Sequence, residues 1–207
     1  MANNFYNKIV KNVSADAIAP SAVYTVPASK KTIVIELDVA NRSTSSQTIS
    51  VEIEDHSLSA PQTGSAVALV NGTALGSTNT LTATGAHNLS TGDRVEFTHI
   101  TGLTGGIAVA KQYYVIKVAA TTFKLATSHA NATAGTAMTV AGTQSGSNSL
   151  KSLYFVYVVR DAPIPIGGAL KVIAGQKLVI EASDKLYCTA SSANSVDAIA
   201  SILEDVS

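Results

Sequence analysis

The chain has 207 residues, 46% of them hydrophobic and 14% charged, and its 14 basic and 14 acidic residues cancel to a formal net charge of zero. This length and apolar content suffice for one large core or two small ones and exclude a disordered chain. The densest basic pair is Lys30-Lys31, far short of the basic stripe that displaces counterions from phosphates, so no direct nucleic-acid partner is expected.

The opening stretch, MANNFYNKIV, lacks the apolar run and small-residue cleavage site of a signal peptide. It reads either as an ordinary first strand with a frayed end or as an arm that reaches a neighbouring subunit. In TIVIELDVAN (32–41), Ile33, Ile35, Leu37 and Val39 alternate with Val34, Glu36 and Asp38. In QTISVEIED (47–55), Ile49, Val51 and Ile53 alternate with Ser50, Glu52 and Glu54. Side chains of a strand point alternately to its two faces, so period two predicts strands of a sheet with one buried side. Glu52, Glu54 and His56 fall at i, i+2, i+4 and share a face of the second strand. Carboxylates and an imidazole facing one way suit a divalent cation. One strand cannot close such a site, because neighbours two apart are ~6.6 Å distant. The face is therefore expected to be solvated, with no metal and no cofactor.

The composition changes after residue 60. Residues 61–148 carry six charges: Asp93, Arg94, Glu96, Lys111, Lys117 and Lys124. Gly/Ser/Thr-rich segments, APQTGSA and GTQSGSNS, bound this region, and polar, flexible joints of this kind are where a domain can enter a loop of another. The expected organisation is an outer domain of residues 1–60 plus 149–207, split by an inserted small domain of residues 61–148. Within the inner region NTLTAT, DRVEFTHI, QYYVIKV, TTFKLATS and AMTVAG are strand-like. VIKVAATTFKLA reads as a hairpin turning at Ala119-Ala120-Thr121, in a loop longer than the two-residue primed turns.

AHNLSTGDRVEF (86–97) places His87, Ser90 and Asp93 within seven positions. A triad is assembled in space, with a base that reaches the nucleophile and a third group that orients the base. Clustering along the chain is no evidence for one. Thr91-Gly92-Asp93 is turn chemistry, and Ser90 has no G-x-S-x-G setting. His87 is expected half-buried, satisfying a turn carbonyl, and no catalytic residue is assigned. The glycine-rich TGLTGG and GTALGST lack the Lys-Ser/Thr of a phosphate loop.

YFVYVV (154–159) is apolar on both faces, which calls for cover on the second face from the inner domain or from a partner. Together with AVALV it is the longest apolar run and is too short to span a bilayer, so no membrane partner is expected. In DAPIPIGG (161–168), Pro163 and Pro165 lack donors, which excludes an interior strand and predicts an edge, an arm or a crossover. QKLVIEAS, KLYCTAS and NSVDAIASILE complete the strand pattern. The one cysteine, Cys188, forms no intrachain disulfide and reads as a small buried apolar residue.

Short strands separated by turn signals predict an all-β fold, an antiparallel β-sandwich of jelly-roll or immunoglobulin-like type carrying a second small all-β domain in a loop. No helical periodicity is found.

The succession His87, Leu89, Thr91, Gly92, Asp93, Val95, then Tyr113-Tyr114-Val115, then Phe123-Lys124-Leu125-Ala126 resembles a small β module of structural proteins of tailed bacteriophages, over roughly residues 77–140. The stretches VYTVPASKKTIVIELDVAN and IPIGGALKVIAGQKLVIEASDKLYCTASSANSVDAIASILE are similar to small β-sandwich proteins of phage virions. The resemblance implies a non-enzymatic, multi-copy virion part at the neck or collar, on the capsid exterior or in the tail. It implies homo-oligomer and virion-protein partners and assembly in the bacterial host cytoplasm. A carbohydrate- or receptor-binding adhesin module is the alternative. The chain has no Trp, so Tyr113-Tyr114 is the candidate aromatic platform for a sugar.

Overall fold

A computed structural model describes residues 4–59 and 67–204; the APQTGSA joint lies outside them. The chain begins with β1 (Asn4–Val10), β2 (Ser21–Thr25), β3 (Thr32–Asn41) and β4 (Gln47–Glu54), followed by a single helical turn, α1 (His56–Ser59). Next come β5 (Val67–Ala68), β6 (Leu81–Thr82), β7 (Arg94–His99), β8 (Leu103–Thr104), β9 (Gln112–Lys117) and β10 (Thr122–Ala126). A five-residue helix, α2 (His129–Thr133), precedes β11 (Ala141–Gly142) and β12 (Ser149–Leu153). The chain ends with β13 (Phe155–Ile164), β14 (Ala169–Ile173), β15 (Leu178–Ile180), β16 (Lys185–Ala190) and β17 (Val196–Glu204). The protein is all-β, and every pairing of named strands is antiparallel.

The chain divides into two compact units, residues 1–57 with 155–207, and residues 58–154. The second joint falls later than the composition suggests. Ser149–Leu153 is β12, bonded to β7 and β5, so hydrogen bonding keeps it with the second unit.

The first unit holds two sheets, β1-β17-β3-β14 with β15 also on β3, and β13-β4-β16-β2. One apolar core draws from both: Val34, Leu37 and Val39 from β3, Ile49 and Val51 from β4, Leu186 and Cys188 from β16, and Ala198, Ala200 and Ile202 from β17. The arrangement is sandwich-like.

In β4 alternating burial holds through Val51, with Ile49 and Val51 fully buried, but from Glu52 on both faces are covered. In β3 the alternation breaks. Val34, Leu37 and Val39 are buried while Ile33 and Ile35 are only partly so. Ser201 pairs with Glu36 but Ile202 pairs with Val34, which leaves Ile35 as the extra residue of a β-bulge. A bulge inverts the phase of alternation beyond it, so Val34 joins the core and Ile33 turns outward. This corrects the face expected from the sequence.

In the second unit the sheet runs β5-β12-β7-β9-β10-β6. Its two ends meet: Leu69 bridges Ala83, Val70 N–H donates to the Thr82 carbonyl at 3.0 Å, and Thr84 N–H donates to that of Ala68 at 2.9 Å. The sheet thereby closes on itself, which removes its open edges. Gln144, 1% exposed, serves this seam: its Oε1 accepts from Thr82 N–H at 2.8 Å and its Nε2 donates to the Thr82 carbonyl at 3.0 Å. Phe97, Tyr113, Val115, Phe123, Leu125 and Leu150 are fully buried.

β8 and β11 form a separate two-stranded pair. Gly142 (φ +98°) and Gly102 (φ +75°) let these backbones approach. A Cβ at Gly102 would lie 2.6 Å from the Thr143 carbonyl, and one at Gly142 would collide with the Gly102 carbonyl. Gly102 of TGLTGG thus serves close backbone packing.

Candidate functional site

The turn Ser90–Asp93 leads into β7. The Asp93 carboxylate accepts from Ser90 N–H at 2.7 Å, Asp93 N–H donates to the Ser90 carbonyl at 3.1 Å, and Thr91 Oγ1 accepts from Lys117 N–H at 3.1 Å. His87 is 6% exposed, more buried than expected. Its Nδ1 accepts from Leu89 N–H at 3.0 Å, so Nε2 carries the proton and donates to the Ala119 carbonyl at 3.0 Å. The ring meets Phe123 edge-on at 5.2 Å. Both imidazole nitrogens are thus committed to backbone, and Asp93 holds its own turn. The geometry ties the 86–93 corner to the β9–β10 loop, residues 118–121, where Val118 and Ala119 N–H both donate to the Thr122 carbonyl.

Glu52 and Glu54 share a face of β4 but are not solvated: they are 6% and 0% exposed. The register explains the burial. β16 places Lys185 opposite Glu54 and Tyr187 opposite Glu52, and β13 places Phe155 and Tyr157 opposite the same two residues. Lys185 Nζ lies 3.1 and 3.4 Å from the two Glu54 oxygens, and Tyr187 Oη donates to Glu54 Oε2 at 3.2 Å. Phe155 and Tyr187 rings pack at 5.9 Å. His56 lies in α1, beyond the strand, and its N–H donates to Asp184 Oδ1 at 2.9 Å. The expected i, i+2, i+4 row therefore stops at Glu54. Among the described residues no three His, Cys, Asp or Glu side chains gather in a group that could hold a metal ion.

Tyr113 and Tyr114 are 0% and 5% exposed. Tyr113 Oη accepts from Ala108 N–H at 2.8 Å and donates to the Gly106 carbonyl at 3.2 Å. Tyr114 contacts the Arg94 guanidinium at 4.9 Å and His129 edge-on at 6.1 Å. Neither ring offers a surface platform, which corrects the expectation of a sugar-stacking pair. Cys188 is fully buried on β16; desolvation first, then the Glu52 charge, pushes its thiol up to about 12, so it stays protonated.

One polar cluster has no local sequence signal, because its members lie up to 180 positions apart. Tyr24 Oη donates to Glu204 Oε1 at 2.6 Å, and Lys30 Nζ donates to Oε2 at 2.9 Å. These two bonds hold the Glu204 carboxyl below the usual carboxylate range. Burial and the Glu204 carboxylate push the Tyr24 phenol up to about 12. The cluster sits where β17 ends beside β2 and closes that margin of the core.

Several large apolar side chains stay exposed, some of them on outer strands. In the first unit, β1 exposes Phe5 (72%) and Ile9 (64%), and β13 exposes Val156 (49%) and Tyr157 (40%). β13 is an edge strand, as Pro163 requires. Comparison of the chain with family models, curated protein sequences and solved structures returns no match.

Proposed function

We propose that the chain is a non-enzymatic structural component of a tailed-bacteriophage particle, present in multiple copies and acting through protein–protein contacts. The neck or collar, the capsid exterior and the tail are the positions it fits. The virion is its site of action and the bacterial cytoplasm its place of assembly. Large apolar side chains displayed on the outer strands β1 and β13 carry the reading, since apolar surface left on strand edges marks contact with other chains. The resemblance of residues 77–140 to a phage structural module supports it. So does the commitment of the reactive side chains, His87 to backbone, Glu54 to Lys185 and Cys188 to the core. Zero net charge allows copies to approach without long-range repulsion.

The test is mass spectrometry of phage particles purified through a density gradient. The chain should band with the particles and resist high-salt washing, as contacts made by buried apolar area do. Recovery only from the soluble lysate would overturn the proposal. The adhesin reading loses its aromatic pair to burial and would return only if a glycan array gave specific hits.

A further inference from the structure

We infer that β1 is a self-complementary docking edge at which two copies join their sheets through a twofold antiparallel β1–β1 pairing. The inference extends the assembly role proposed above by naming one partner, a second copy of this chain, and the strand it uses.

β1 lies at the open edge of its sheet and pairs with β17 in unbroken register from Asn4↔Glu204 to Val10↔Ala198. Edges normally carry devices that block further pairing. The other outer strands of the first unit carry them. β13 has two register shifts, Asp161 at φ +50°, and Pro163. β14 has a shift between Lys171 and Ile173, and β2 borders one between Leu186 and Tyr187. β15 is only three residues long. β1 is seven residues, NFYNKIV, without proline, glycine or bulge.

Its sequence also fits itself. A twofold axis at Asn7 opposes Phe5 to Ile9 of the second copy, Tyr6 to Lys8, Asn4 to Val10, and Asn7 to itself. Phe5 and Ile9 are the outward apolar pair, and opposite residues of an antiparallel ladder share a face. Lys8 already lies over the Tyr6 ring at 4.9 Å within one chain, and the pairing sets each ammonium against a second tyrosine. Shifting the axis to Lys8 would oppose like charges, and shifting it to Tyr6 would oppose Phe5 to Asn7. Charge and shape therefore select the Asn7 register. The joint also extends an existing apolar row, because Phe5 pairs with Leu203, Leu203 with Ile33, and Ile33 with the exposed Val179. The result is an isologous C2 contact built by strand addition.

Disulfide trapping of the full chain tests the register. Residues that face each other across an antiparallel pair have Cα atoms ~4.5–5.5 Å apart, within disulfide range. Asn7→Cys should give a covalent dimer under mild oxidation. Ile9→Cys should not link to its own copy, since the two positions lie about 13 Å apart along the strands. Buried Cys188 does not compete. Sedimentation equilibrium should show a wild-type dimer whose dissociation constant rises at least tenfold in Phe5→Lys. Phe5→Lys/Ile9→Glu should recover the dimer, because the new opposite charges face each other only between copies. A wild-type monomer at high concentration, equal trapping at positions 7 and 9, or no recovery in the double variant would overturn the inference. These measurements use the isolated chain, so the virion assignment can fail while the dimer stands, and the reverse.

Discussion

Lys185→Met removes the cation that faces Glu54. The carboxylate is fully buried, and the lysine side chain is 25% exposed. In the variant Glu54 keeps the Tyr187 hydroxyl, at 3.2 Å, but loses both contacts to Nζ. Removing one partner of a buried ion pair costs about 3–5 kcal/mol, because the remaining charge stays desolvated. Water reaches Lys185 from one side, which places the cost at the lower end, about 3 kcal/mol. In a unit of this size that lowers the unfolding midpoint by roughly 10–15 °C. Calorimetry of the wild type, Lys185→Met, Glu54→Leu and the double variant closes a cycle. The double variant should lie within about 1 kcal/mol of wild type, since an apolar pair of similar volume replaces a desolvated one. Lys31→Met, which breaks the exposed pair with Glu181, should leave the midpoint unchanged. A cost below about 1 kcal/mol for Lys185→Met, or additive single variants, would refute the view of Glu54 as a buried, paired charge.

Four further outcomes follow from the geometry. His87→Ala leaves the buried Leu89 N–H and the Ala119 carbonyl without their partner, and should cost the second unit about 2–4 kcal/mol in urea titration. Gly142→Ala combines left-handed strain with collision against the Gly102 backbone and should cost more than ~2 kcal/mol, whereas Gly135→Ala, at φ +74° with open space around it, should cost about 1 kcal/mol. Tyr24 ionises near 10 when unfolded and at about 12 when folded, so its contribution is full below pH 10 and lost as pH rises to 12. The decline across that window should be shallower in Tyr24→Phe. Glu204 has the opposite sign: its contribution is present above pH 4.5 and lost as pH falls through its lowered folded value, which Glu204→Gln should flatten.

Strand positions were legible wherever alternation and turn residues agreed, as at Ile49, Val51 and Ile53, and Pro163 marked an edge strand on donor chemistry alone. The face of β3 was not legible, because the bulge at Ile35 is set by how Ser201 and Ile202 pair, some 165 positions away. Glu52 and Glu54 read as solvated because their cover, Lys185 and Tyr187, arrives from a strand about 130 positions later. Tyr113 and Tyr114 read as a platform because nothing local reveals that loop 106–108 captures the Tyr113 hydroxyl. The five-residue helix α2 is too short to show a 3.6-residue period. For β3 and the two glutamates the missing information was long-range register; for Tyr113 it was the fold of a nearby loop, which leaves no periodic pattern.

We propose that this chain works through its strand edges and apolar outer faces. Electron cryomicroscopy of purified particles tests it most directly. The account predicts density for the all-β chain with Phe5 and Ile9 of β1 and Val156 and Tyr157 of β13 covered by neighbouring subunits. Particles in which these faces stand open to solvent, or which lack the chain, would contradict it.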